Sequence, residues 1–167
     1  MVKADTQLIS EFSTSFAGGT YGKANRVFNI CKAADMIDGV TLAPGQEFDM
    51  NAAIGDRNKD NGWKTATAIK EGTYVQEYGG GVCQVSTTLY NAVLMADLEV
   101  TERSHHSWPL GYVDIGRDAT ISTGGPNFKF RNTQEVPVTV SATADAKAKT
   151  VTVRTGSYTH LRAHETR

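Results

Sequence analysis

Residues 79–100 read GGGVCQVSTTLYNAVLMADLEV. Three glycines form a loop, and Val82, Val85, Leu89, Val93 and Ala96 then recur at three- and four-residue spacing, which predicts a helix with one apolar stripe. The loop therefore runs directly into a helix whose first turn carries Cys83. On the N-terminal side, residues 23–37 (KANRVFNICKAADMI) place Val27, Ile30, Ala34 and Ile37 on one face of a second amphipathic helix, and Gly39 follows as its C-cap. Pro44-Gly45 predicts a turn between two short strands, GDRNKDNGW (55–63) a polar loop, and 65–78 a mixture of strand and loop. Residues 7–20 look like a short extended stretch ending in a Gly-Gly loop.

Downstream of Asp97 the pattern is β. Residues 113–122, 128–131, 136–142 and 150–154 are short β-branched or aromatic runs, and Val136, Val138, Val140 and Ala142 alternate with period two. The expected fold class is α+β, with helices in the N-terminal half and an antiparallel sheet in the C-terminal half packing on the Cys83 helix.

The chain has 167 residues, 17 Lys+Arg against 18 Asp+Glu, and two cysteines. One domain of this size buries about two-thirds of its unfolded surface, so neither metal nor disulfide is needed to hold it. A formal net charge of −1 without a basic stripe argues against nucleic acid as a partner and against a polybasic membrane anchor. No apolar run approaches the roughly 20 residues of a membrane span, and the N-terminal MVKAD lacks the apolar stretch of a signal peptide, so no membrane contact is expected from this segment itself. Residues 157–166 (SYTHLRAHET) have no apolar period and resemble one reading frame of a transposase sequencing adapter. The expected division is therefore a truncated lead-in over 1–9, a domain over 10–155 and a non-native disordered tail over 156–167.

The chemistry concentrates on Cys83. Unpaired N–H groups and the dipole at a helix start favour thiolate over thiol, and the thiolate is the nucleophile. Gly80 and Gly81 leave the backbone open to a substrate, with an N–H able to stabilise an oxyanion. His105 and His106, in SHHSWP, supply a base near neutral pH, and Asp118, in GRDAT, is the group to orient an imidazole. Other readings stand beside this one. A lone Cys is often simply packed, as expected for Cys31; the histidines cap a turn before Pro109; or Cys31 and Cys83 form a disulfide. No CxxC, HxH or HExxH spacing suggests a metal, the Lys and Ser/Thr of a P-loop are missing after the glycines, and no cofactor is called for.

GGGVCQVSTTLYNAVLMADLEV followed by ERSHHSWPLGYVDIGRDATIS closely resembles the VanW-like family, and the likeness extends over EFSTSF, NRVFNICKAADMIDGVTLAPGQEFDMN, GDRNKDNGW and FKFRNTQEVPVTV, about residues 10–155. The resemblance implies an extracytoplasmic cell-envelope setting in mainly Gram-positive bacteria. It also implies longer parent proteins, with an anchor and a peptidoglycan-associated domain upstream, so that the signal or anchor is missing from this chain by truncation. Carried over by position, Cys83 is the motif cysteine, His106 the histidine of HSxP and Asp118 the aspartate of GRDAT. Ser104 stands where histidine is frequent, and Asp97 replaces a glycine common at the helix end. The functional expectation is a cysteine-dependent amide hydrolase or transpeptidase acting on peptidoglycan stem peptides. Its catalytic residues are Cys83, His106 and Asp118, with Gly80, Gly81, Gln84, His105 and Trp108 binding substrate; Tyr112 lines the cleft and Tyr90 packs in the core. The alternative is a non-catalytic peptidoglycan- or protein-binding domain linked to glycopeptide resistance.

Overall fold

The computed structural model describes residues 5–70 and 72–159. Its chain runs β1 (Asp5–Ser15), α1 (Ala24–Ile37), β2 (Thr41–Leu42), β3 (Glu47–Asp49), α2 (Met50–Ile54), β4 (Thr65–Lys70), β5 (Thr73–Tyr78), α3 (Val82–Met95), β6 (Glu99–Glu102), β7 (Lys129–Arg131), β8 (Val138–Asp145) and β9 (Thr150–Thr159). The principal sheet is antiparallel in the order β1-β9-β8-β2; β3-β7-β6 form a second sheet, and β4-β5 a separate hairpin.

The fold is α+β, but its helices and strands are not segregated. The N-terminal strand β1 lies beside the C-terminal β9, and four short strands precede α3. Pairing between segments some 145 residues apart leaves no trace in local periodicity, which is why the sequence order misleads. The strand pair also runs past the boundaries expected at 9/10 and 155/156: Leu8 faces Gly156, Gln7 faces Ser157 and Asp5 faces Thr159. The remainder of the expected tail, 160–167, lies outside the described residues.

One face of the principal sheet is covered by α1 and α3. Val138, Val140 and Ala142 of β8 and Val151 and Val153 of β9 point inward with the expected period of two, against Ile30, Ala33, Ala34 and Ile37 of α1 and Val85, Leu89 and Val93 of α3. Helix α3 carries more than one apolar stripe inward, since every residue from Gln84 to Val93 is buried. Its polar side chains are therefore fasteners. Thr88 bonds Thr14 Oγ1 of β1 at 2.8 Å, and on another side Thr87, Ser86 and Asn91 hold the segment after residue 116. Burial of these groups is tolerated because each is bonded.

Asp97 ends α3 with φ 57°, the left-handed region expected where the family pattern has glycine. Asp97→Gly should raise stability by about 0.5–1 kcal/mol, measured as the urea midpoint at unchanged m-value, because the Cβ penalty of that conformation is removed.

Candidate active site

Three segments build the site: the start of α3, the loop over residues 103–122, and the β4-β5 hairpin. The loop was expected to be a strand over 113–122 carrying Asp118. It is irregular, because its backbone bonds go to a helix rather than to a neighbouring strand. Ser86 and Thr87 donate to Ala119 O at 2.6 and 3.3 Å, Ala119 N–H donates to Thr87 Oγ1 at 3.0 Å, and Asn91 Nδ2 donates to Arg117 O at 2.8 Å. Thr120 N–H donates to Ser104 O at 2.8 Å, which lays the His106 stretch beside the Asp118 stretch.

Asp118 is buried and acts as the hub. Its Oδ2 accepts from the His106 backbone N–H at 2.5 Å and pairs with His106 Nδ1 at 2.6 Å, while Oδ1 faces Arg103 Nη2 at 3.5 Å. Burial alone would raise this carboxyl; the two His106 contacts outweigh it and hold Asp118 below the usual carboxylate range. With Nδ1 engaged by Asp118, Nε2 is the ring nitrogen left to face the cavity wall that His106 shares with Cys83. Cys83 is also held by its surroundings: Ile121 N–H donates to Sγ at 3.4 Å, the thiol donates to Ile121 O at 3.3 Å, and Thr120 Oγ1 lies at 3.5 Å. Desolvation pushes the thiol up, but the proximity and charge of His106, with Ile121 and Thr120, bring it below its ordinary value. Reciprocally, burial lowers His106 while Cys83 and Asp118 raise it, with a net rise. Imidazole and carboxylate thus form a bonded pair beside the sulfur, and the proximity of Cys83 and His106 shifts each towards its charged form.

Both cysteines are free thiols, so the disulfide alternative does not hold. Cys31 faces β8, with Ala144 O at 4.0 Å, and burial pushes its thiol up. Among the described residues no group of three or more His, Cys, Asp or Glu is placed to hold a metal ion.

Cys83 and His106 open onto a cavity of about 480 Å³. Its walls come from the loop (Leu110, Tyr112, Thr120, Ile121), from the hairpin (Thr67, Tyr74, Glu77), and from Tyr21 and Arg26 at the start of α1. Gly81 lines it too. Its φ of 107° lies in the region that favours glycine, and a Cβ there would sit 2.7 Å from Arg26 Cγ. The Cys83 backbone N–H has no acceptor among the described residues, as an oxyanion donor requires.

The other residues expected to bind substrate lie elsewhere. Gly80 is a packing position: a Cβ would come within 2.6 Å of Ala66 O, and its own carbonyl accepts from Asn29 Nδ2 at 3.0 Å. Gln84 is fully buried and turned towards β1, donating to Thr14 Oγ1 and Ser15 O at 2.9 and 3.0 Å. His105 and Trp108 line a second depression of about 460 Å³ on the other side of His106, and the Trp108 ring meets Tyr74 edge-on at 5.4 Å. Tyr90 packs in the core against Phe128, and Tyr112 lines the main cavity as expected.

Arg26, part of the family-like NRVFNICKAADMI stretch, has no site role assigned to it from the sequence. The available signal was its register: positions 26, 30, 33 and 37 share the inner face of α1, so the arginine lies on the side of Ile30 and Ile37.

The sequence model of one family, described as VanW like protein, matches residues 25–155. The chain belongs to the VanW-like family. This VanW-like domain is 39% identical over 145 residues to the uncharacterized protein YoaR of Bacillus subtilis (strain 168), covering 84% of this chain and 48% of that protein. It is 32% identical over 126 residues to the vancomycin B-type resistance protein VanW of Enterococcus faecalis (strain ATCC 700802 / V583), covering 72% of this chain and 46% of that protein. The chain thus spans about half the length of these curated relatives. No solved structure matches the VanW-like domain. No helix among its described residues is long and apolar enough to cross a membrane.

Proposed function

We propose that this VanW-like domain is a cysteine-dependent amide hydrolase or transpeptidase acting on peptidoglycan stem peptides in the extracytoplasmic cell envelope. The observation that carries the reading is Cys83 and His106 together on the wall of a cavity large enough for a short peptide, with Asp118 bonded to the His106 ring from behind. The cell-wall substrate is supported by kinship with a vancomycin-resistance protein.

The chemistry follows from the roles. The Cys83 thiolate attacks the amide carbonyl carbon, forming a C–S bond, and the thiol proton resides on His106. The tetrahedral oxyanion takes the Cys83 N–H, at the positive end of α3. On collapse the C–N bond breaks, and His106 gives its proton to the departing amine. The thioester is resolved by water, whose proton His106 accepts, or by an amine that forms a new amide. Asp118 holds the ring orientation through Nδ1 and stabilises the imidazolium.

The rate of Cys83 alkylation against pH, in a Cys31→Ala background, tests this reading. Because His106 lowers the thiol, the rate should rise through an inflection below the roughly 8.5 of a free cysteine and stay high into neutral pH. His106→Ala should move that inflection up. A thiol that reacts only after denaturation, or titrates at or above about 8.5, favours the second reading: a non-catalytic domain that binds peptidoglycan or a protein. The observation behind that second reading is the close hold of Ile121 and Thr120 on the sulfur.

A further inference from the structure

The cavity contains a buried positive charge that no carboxylate answers. Arg26 is 6% exposed, yet among the described residues no Asp or Glu lies within ion-pair distance of it. Its guanidinium donates through Nη1 to Tyr21 O at 3.1 Å and through Nη2 to Gln84 Oε1 at 2.9 Å, both neutral acceptors, and lies 4.8 Å from the Tyr21 ring centroid and 6.0 Å from that of Tyr112.

None of the neighbouring charged groups forms an ion pair with Arg26 among the described residues. Asp118 has Arg103 and His106, and Glu77, the one acidic side chain on the cavity wall among the described residues, forms no ion pair with Arg26. Cys83 and His106 exchange one proton and stay neutral as a pair. Tyr112 stays protonated, since burial and then the Cys83 charge push its phenol up. Arg26 thus lines the cavity as a buried cation bonded to no anion among the described residues. A buried, unneutralised cation costs several kcal/mol in a packed protein. Here its position is fixed from behind, because Gln84 is itself clamped by Thr14 and Ser15. The guanidinium has N–H groups beyond the two in use, in the planar fork that suits a carboxylate.

We propose that Arg26 binds a free carboxylate of the substrate, so that the chain entering the cavity ends there, beside the amide that Cys83 attacks. The assignment of the bond rests on the function proposed above; the binding of the carboxylate does not. Hydrolysis would then release a C-terminal residue, and transfer would exchange it, whereas a cut inside a longer chain would leave Arg26 unanswered.

The test compares a synthetic stem pentapeptide carrying a free C-terminal carboxylate with the same peptide as its C-terminal amide. Calorimetric binding to Cys83→Ala should favour the acid by about tenfold or more. Arg26→Gln should bring the ratio to about one, and Arg26→Lys should keep part of the preference, with thermal unfolding reporting that each variant is folded. The acid–amide comparison needs no change at Arg26, so it stands even where Arg26→Gln does not fold. Equal binding of acid and amide, binding of neither, or an acid preference that survives in folded Arg26→Gln each overturns the proposal. Turnover by the Cys83 protein is read separately. An acid preference without turnover removes the thiol-enzyme reading and keeps the carboxylate site; turnover without an acid preference does the reverse.

Discussion

Cys83→Ala is expected to abolish turnover of a stem pentapeptide, lowering kcat by about 10⁴-fold or more, with product followed by chromatography and mass spectrometry. Loss on this scale is expected because the proposed mechanism makes the covalent bond through the sulfur, and no other nucleophile with a base beside it lines the cavity among the described residues. His106→Ala should cost nearly as much. The double variant should be little worse than either single one, since the two residues act as one unit. Asp118→Asn keeps the shape but reverses what Oδ2 offers the imidazole, and should fall between wild type and His106→Ala. Cys83→Ala should still fold, since α3 is held by Thr14, Ala119 and Arg117, none of which bonds the sulfur. Undiminished turnover in folded Cys83→Ala would refute Cys83 as the nucleophile outright.

The largest stability effect is expected at Gly80. A methyl group there would lie 2.6 Å from Ala66 O, 2.7 Å from Ala66 C and 2.9 Å from Ala66 Cβ. These are strand atoms of β4, fixed by pairing with β5, and cannot swing aside as a long side chain would. Gly80→Ala should therefore cost about 3 kcal/mol, the upper part of the overpacking range, and lower Tm by roughly 6–12 °C for a chain of this size. Gly111→Ala is the matched control: its new methyl meets the Tyr21 side chain at 3.4 Å, an ordinary contact, and should shift Tm little. A Gly80→Ala protein as stable as wild type would show that the start of α3 can slide off β4. Because Cys83 sits one turn further on, the variant should also lose activity, even at temperatures where it is folded.

Local pattern explains what was legible in the chain. Helices α1 and α3, the Pro44-Gly45 turn and the alternation of β8 follow from residue spacing, because each buries a face whose period is written in neighbouring residues. The Cys83, His106 and Asp118 trio was readable for a different reason: few Cys and His occur in the chain, and the residue types suit one another chemically. Segment 113–122 misled because Asp118, Ala119 and Ile121 are buried as in a strand, while the hydrogen bonds go to Ser86, Thr87 and Asn91 across the fold. Arg26 belongs to the family-like stretch but was given no site role, because a charge on a predicted helix is ordinarily a solvated one. Gln84 was misplaced because helix-start proximity to Cys83 says nothing about which side of the helix faces β1.

The pairing of the two chain ends has a mechanical consequence. Asp5 and Thr159 lie opposite each other at the open end of the β1-β9 pair, so a force pulling them apart meets the ladder in unzipping geometry, one bond at a time, rather than in shear. Peeling β1 as far as Ser10 removes its bonds to Thr155 and to Ala92 O. Four residues further, Thr14 leaves Thr88 and Gln84 together, and Gln84 is the side chain that steadies Arg26. Tension along the chain would thus reach the cavity through a short series of hydroxyl and amide contacts, releasing its cationic wall before the helix that carries the cysteine comes apart.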